Sequence, residues 1–166
     1  MKISLEELFA YCERNGISVG NIPEDVMCAS TEAMMKGEDK FEVSDNTFAQ
    51  IDEAHRKDVE RQKLYDDISA CRLAGMKDED ENNIDEAIAQ YAEAIRIGEA
   101  SEFDLLHAYR HAYDRIIILL SRTHAYAREA EHIEQLLKWH KLQDRDRTRL
   151  EERLRKTYMK INKLQI

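Results

Sequence analysis

The sequence predicts an all-α protein, and three observations carry that expectation. Five glycines and one proline in 166 residues are too few for an all-β chain, which needs turn residues about every 8–12 positions. Charged residues at 36% and hydrophobic residues at 43% suit long amphipathic helices with solvated outer faces. Apolar residues also recur at three- and four-residue spacing along almost the whole chain. The expected arrangement is a set of stacked helical hairpins. An N-terminal helical hairpin and linker occupy residues 1–43. A helical domain over 44–166 is closed by a basic capping helix.

The elements follow in order. Ser4 and Glu7 have the spacing of a capping box, in which side chain and backbone satisfy each other's unpaired groups at a helix start. Leu5, Leu8, Phe9 and Cys12 then form a stripe that Asn15-Gly16 stops. Pro23 suits a first helical position, and Glu24 and Asp25 complement the positive end of the helix dipole. Val26, Met27, Ser30, Met34 and Met35 carry this second helix to Gly37. Residues 38–43 read as a linker and Ser44 as a cap. From Asp45 to about Ala74 the helical pattern is carried by Phe48, Ile51, His55 and Val59, then by Leu64, Ile68 and Cys71, with a slip of phase after Val59. Gly75 and the acidic run through Asn83 read as a break.

Ile84, Ala87, Ile88, Tyr91, Ala94 and Ile95 mark a helix that Gly98 is expected to end. Leu105, Leu106, Tyr109, Ala112, Tyr113, Ile116, Ile117 and Leu120 give the next helix a broad apolar face. Ala127, Ala130, Ile133, Leu136, Leu137 and Trp139 outline another. Leu150, Leu154, Tyr158, Ile161 and Leu164 outline the last, which covers the apolar face a final hairpin would otherwise expose.

Composition narrows the function classes. Cys12, Cys28 and Cys71 are odd in number and lack CxxC spacing, which points to reduced thiols on apolar stripes. The start of the chain lacks the apolar stretch of a signal peptide, and no run approaches 18 apolar residues. A soluble, cytoplasmic protein without membrane partners is the expectation. The net charge is −9, unevenly spread. Residues 1–100 hold 11 Lys/Arg against 24 Asp/Glu, whereas residues 101–166 hold 14 against 10. Such halves can attract one another within or between copies, so a homo-oligomer is one expected association.

One segment resembles a known family. Glu86-Ala87-Ile88, Tyr91 and Ala94 are similar to the second helix of a tetratricopeptide repeat: small alanines allow close helix approach, and the aromatic fills the gap at the hairpin's end. Gly75 resembles the glycine that ends the first helix of the pair. Departures are the long 76–83 connection and Gly98 where the closing proline would stand. Residues 104–137 give a weaker second copy, so the resemblance spans about 60–140 at the usual repeat length of about 34 residues. A fourteen-three-three-like protein and a plain helical bundle are the alternatives. The resemblance implies partner binding on a concave face, with no chemistry and no cofactor.

Candidate sites follow from helical spacing. In a tetratricopeptide hairpin the first helix lines the groove, which would present Asp104, His107, His111, Asp114 and Arg115, with Ile118 beside them, to a partner protein or peptide. The competing reading is a solvated helix face. His107 and His111, four residues apart, also have the spacing for two ligands to one metal, but no HExxH or CxxC pattern accompanies them. The acidic run 78–83 lacks a calcium loop's turn glycine, with Asn83 in its place, and has Ala89 where the bidentate glutamate belongs. Arg145, Arg149, Arg153, Lys156, Lys160 and Lys163 recur every three or four residues and form a basic face on the last helix. That face suits nucleic-acid phosphate, anionic lipid or an acidic partner, against the plainer reading of a packed cap with a charged outer side, and a nucleic-acid accessory role is the second functional reading. The overall pI near 5.2 weighs against it. No phosphate loop, nucleophile elbow or paired-carboxylate pattern is present. The leading expectation is therefore a binding or adaptor protein, not an enzyme.

Overall fold

The computed structural model describes residues 1–166 and is all-α apart from one short strand pair. It contains β1 (Lys2–Ser4), α1 (Leu5–Arg14), α2 (Glu24–Met35), β2 (Lys40–Glu42), α3 (Thr47–Asp80), α4 (Ile84–Ala100), α5 (Leu106–Arg122), α6 (Tyr126–Trp139) and α7 (Asp144–Leu164). The chain forms two compact units, Met1–Gln62 and Lys63–Ile166, with helix α3 continuous through the division.

In the first unit, the Ser4/Glu7 capping box forms as expected: the Glu7 amide donates to Ser4 Oγ at 3.1 Å and the Ser4 amide to Glu7 at 2.7 Å. Leu8 and Cys12 are buried, whereas Phe9 is exposed. The 38–43 segment, read as a linker, instead contributes β2, antiparallel to β1 with Ile3 opposite Phe41. Both of these side chains enter a core with Leu8, Cys12, Ile17, Ile22, Val26 and Ile51. Phe48 packs on the same core, so the first turns of α3 belong to this unit.

The phase slip in α3 has a physical reason. Ile51 is buried in the first core and Ile68 in the second, while every residue from 56 to 63, including Val59, is exposed. That middle stretch supports itself with Arg56–Glu53, Arg56–Glu60, Lys57–Glu53 and Arg61–Asp58 ion pairs. Each such pair contributes about 0.2–0.5 kcal/mol on a helix surface.

The second unit is a run of packed hairpins: the C-terminal part of α3 with α4, then α5 with α6, then α7 against α6. Its core includes Tyr91, Tyr113, Ile116, Leu119, Leu120, Ile133 and Leu136, all fully buried. Gly75 and Gly98, both read as helix stops, lie within helices. A Cβ on Gly75 would stand 2.8 Å from the Tyr91 ring, and one on Gly98 would collide with the Tyr109 ring. Each glycine is thus a notch for a tyrosine of another helix. Trp139, placed by spacing on an apolar face, is 68% exposed. In α7 Leu150 and Thr157 are buried, with Leu154 and Ile161 half-buried; Tyr158 and Leu164 face solvent.

Four helices end in the same way. Ile17, Glu38, Asn83 and Ala125 donate their amides to the carbonyls of Cys12, Ala33, Asp78 and Leu120, at 2.7–2.9 Å. The residue before each donor is left-handed: Gly16, Gly37, Asn82 and His124. These are Schellman caps, which satisfy carbonyls left unpaired at a helix end. The connection after α3 is consequently tight, because the helix runs on to Asp80 through the supposed break. The turns at Asn82 and His124 stand 42 residues apart. This exceeds the usual repeat length of about 34 because α4 continues past Gly98 to Ala100 and a connector follows.

Candidate functional site: the groove between α5 and α7

Helix α5 is packed against both α4 and α6, so its polar positions are divided among different surroundings. His107 meets the Tyr65 hydroxyl through Nε2. His111 is half-buried, edge-on to Tyr91 with ring centroids 6.0 Å apart. Burial holds its imidazole below the usual histidine range, assisted by Arg72 and Arg115. Arg115 forms an ion pair with Glu79, its Nε 3.1 Å from the carboxylate, and Arg122 approaches the same group at 3.9 Å. The Arg115 guanidinium holds the Glu79 carboxyl below its ordinary range. Tyr91 donates to Glu79 at 3.2 Å, and its hydroxyl is pushed up to about 12, chiefly by burial. Arg115 thus ties α5 to the end of α3, an arrangement that supports the fold.

The open surface lies one step around α5. Arg110, Asp114, Ile117 and Ile118 from α5 face Asp146, Arg149, Leu150, Glu152, Arg153 and Lys156 from α7 across a groove of about 620 Å³. Arg110 pairs with Asp114 at 3.3 Å and approaches Asp146 at 4.0 Å. Glu152 pairs with Arg155 and Lys156 on its own helix, at 2.8 and 3.4 Å. Arg149 has no ion pair or hydrogen bond.

Arg153 is fixed from below. Its Nε lies 2.9 Å from Glu129 of α6, a carboxylate only 1% exposed. A buried carboxylate needs a partner to offset its lost hydration, so Glu129 restrains both the place of Arg153 and the docking of α7. Ile117 and Leu150 are buried, leaving half-buried Ile118 as the accessible apolar contact.

The expected site residues therefore do not share one surface. Asp114 and Ile118 stand in the groove with Arg149, Arg153 and Lys156 from the basic stripe. Asp104 lines a separate pocket beside Trp139. Lys160 rests 5.0 Å from the centre of the Tyr126 ring, and Arg145 and Lys163 are exposed. Arg110 was missed by sequence reading, although its position four residues before Asp114 places both on one helical strip.

A second polar cluster centres on Glu99, a residue exposed near the end of α4. It accepts from Tyr113, contacts His140 Nε2 at 2.9 Å and accepts from Gln135 at 3.3 Å. Burial, with the Glu99 bond added, pushes the Tyr113 hydroxyl up; burial holds His132, edge-on to Tyr113, below the usual histidine range. No three His, Cys, Asp or Glu side chains converge closely enough to hold a metal ion, and no helix is long and apolar enough to cross a membrane. Compared with protein-family models, curated proteins and solved structures, the chain matches none of them.

Proposed function

We propose that the second unit is a protein-interaction module of tetratricopeptide character, which takes a peptide segment of a partner protein in the α5/α7 groove. The observation that carries this reading is the groove itself. It combines an accessible apolar contact at Ile118, a free guanidinium at Arg149 and alternating charges on both walls. Such a mixture suits a peptide bearing apolar and acidic side chains, because arginines with neighbouring apolar surface are common interface anchors. The repeat character is supported by two hairpins closed by the same cap, and by fully buried Ala87, Tyr91 and Ala94 at the family's positions. The three acids on the groove walls, Asp114, Asp146 and Glu152, disfavour a continuous phosphate backbone.

The test is photocrosslinking from a benzophenone side chain placed at Ile118 in the full chain, in lysate of the native host. The expected result is a protein adduct that survives nuclease treatment and falls at least about tenfold in an R149E background, the equivalent of about 1.4 kcal/mol. An unaltered thermal melt would show that the variant folds. Adducts equal in both backgrounds would overturn the groove assignment. Adducts lost on nuclease treatment would transfer the function to nucleic-acid association.

A further inference from the structure

A second pocket, of about 370 Å³, lies where the end of α4, the connector into α5 and the end of α6 meet. Its chemistry differs from that of the α5/α7 groove. Trp139, Tyr109, Phe103 and His140 supply ring walls, Glu99 and Asp104 supply carboxylates, and no lysine or arginine lines it. Tyr109 is only 3% exposed, yet its hydroxyl has no hydrogen-bond partner, and it feels the charge of both carboxylates. The hydroxyl is not among the polar side-chain atoms that are both sealed from solvent and unpaired, so it remains free to accept a hydrogen bond. Glu99 already serves Tyr113, Gln135 and His140. Asp104 is exposed and receives only the Leu106 amide, at 3.4 Å, so its charge is available. Trp139 keeps most of its surface in solvent, and Lys138 Nζ stands 5.0 Å from its ring centre. A cation already rests against this indole.

From this we infer that the pocket binds an alkylammonium group, with its charge set against Asp104 and Glu99 and its carbon atoms against Trp139, Tyr109 and Phe103. Aromatic faces attract cations through the ring quadrupole, most strongly where a carboxylate adds to the field. An anion would meet two carboxylates and negative ring faces. The inference does not depend on the α5/α7 groove. Two sources carry the chemistry, a lysine side chain of a protein or a small quaternary amine, and the Tyr109 hydroxyl distinguishes them. An ammonium N–H can donate to it, whereas a quaternary nitrogen has no hydrogen to give.

Trp139 is the single tryptophan of the chain, so its fluorescence reads this pocket directly. The full chain is titrated with Nα-acetyl-lysine amide and with tetramethylammonium chloride, each against sodium chloride at equal ionic strength. The expected result is a saturable change in emission beyond the salt control for at least one of them. Asp104→Asn, at an exposed position, should weaken it roughly tenfold, the scale of one lost charge-assisted contact. Tyr109→Phe should weaken only the lysine derivative. Tighter binding of that derivative assigns the pocket to protein lysines, and tighter binding of tetramethylammonium assigns it to quaternary amines. Emission that follows sodium chloride for both ligands, or a curve unchanged by Asp104→Asn, would overturn the proposal.

Discussion

In the first unit Gly16 and Gly37 stand just beyond helices, with φ of 63° and 72° and no neighbouring atom within 4 Å of an added Cβ. In the second unit Gly75 and Gly98 stand inside helices, and the space of a Cβ at each is taken by a tyrosine ring. The left-handed positions after α3 and α5 are filled there by Asn82 and His124. One half uses glycine for backbone conformation, at open positions. The other uses it for close approach between helices and assigns the turns to residues that pay a steric cost. The energetic consequences of substituting a glycine therefore differ between the two halves in size and in origin.

Gly98→Ala gives the largest expected effect. Helix propensity alone would favour alanine by about 1 kcal/mol. The collision with Tyr109 must be relieved by moving α4 or displacing a core ring, and overpacking of this kind costs about 1–3 kcal/mol. We expect net destabilisation of about 2 kcal/mol, read as a lower urea midpoint at an unchanged slope. Gly75→Ala should act in the same direction but less, since the displaced ring is approached less closely. A more stable Gly98→Ala protein would mean that propensity wins and that the notch is not tightly filled.

These glycines also mark what could be read from the residues alone. Gly16 and Gly37 lie where apolar periodicity stops, so the ends of α1 and α2 were legible. Gly75 and Gly98 look identical in sequence, and their tyrosine partners lie 16 and 11 positions away on other helices. Nothing local separates a stop from a notch. The buried faces of α4 and α5 were legible because a wide apolar stripe dominates each helix. The site was legible only in part. The 149/153/156 spacing announces a basic strip on α7, and Asp114 and Ile118 lie on the strip facing it. What periodicity cannot supply is which strip of α5 each neighbour covers. A shift of one residue turns a helix by about 100°, enough to move His111 and Arg115 onto Tyr91 and Glu79 and leave Arg110 and Asp114 in the groove. The β1/β2 pair was invisible because three-residue strands carry no usable alternation.

An intermediate effect is expected at Gly16. Since an added Cβ meets no other atom, Gly16→Ala isolates the backbone term. A left-handed L-residue costs about 1–2 kcal/mol, partly offset by the lower entropy of the unfolded alanine chain. Net destabilisation of about 1 kcal/mol should appear in circular dichroism under urea. Gly16→Asn should recover much of the loss, because asparagine tolerates this conformation better. Equal losses for alanine and asparagine would show that the position is constrained by packing, as in the second unit, and would erase the distinction drawn between them.

The smallest effect, and the one of opposite sign, belongs to Asn82. Its φ is 60°, the cap bonds at Asn82 and Asn83 are backbone bonds, and the side chain is exposed. Asn82→Gly removes the remaining steric cost of the left-handed conformation while leaving those bonds in place. Against this stands the greater freedom that glycine gives the unfolded chain. Because asparagine already bears the conformation well, the two terms nearly cancel, and a gain of about 0.5 kcal/mol or less is expected. Differential scanning calorimetry of the variant beside the parent protein measures it. A clear loss of stability would mean that the Asn82 side chain contributes to the α3/α4 turn, so that this helix end depends on more than its backbone. The second unit would then have replaced glycine at this turn for a specific contact and not merely tolerated its absence.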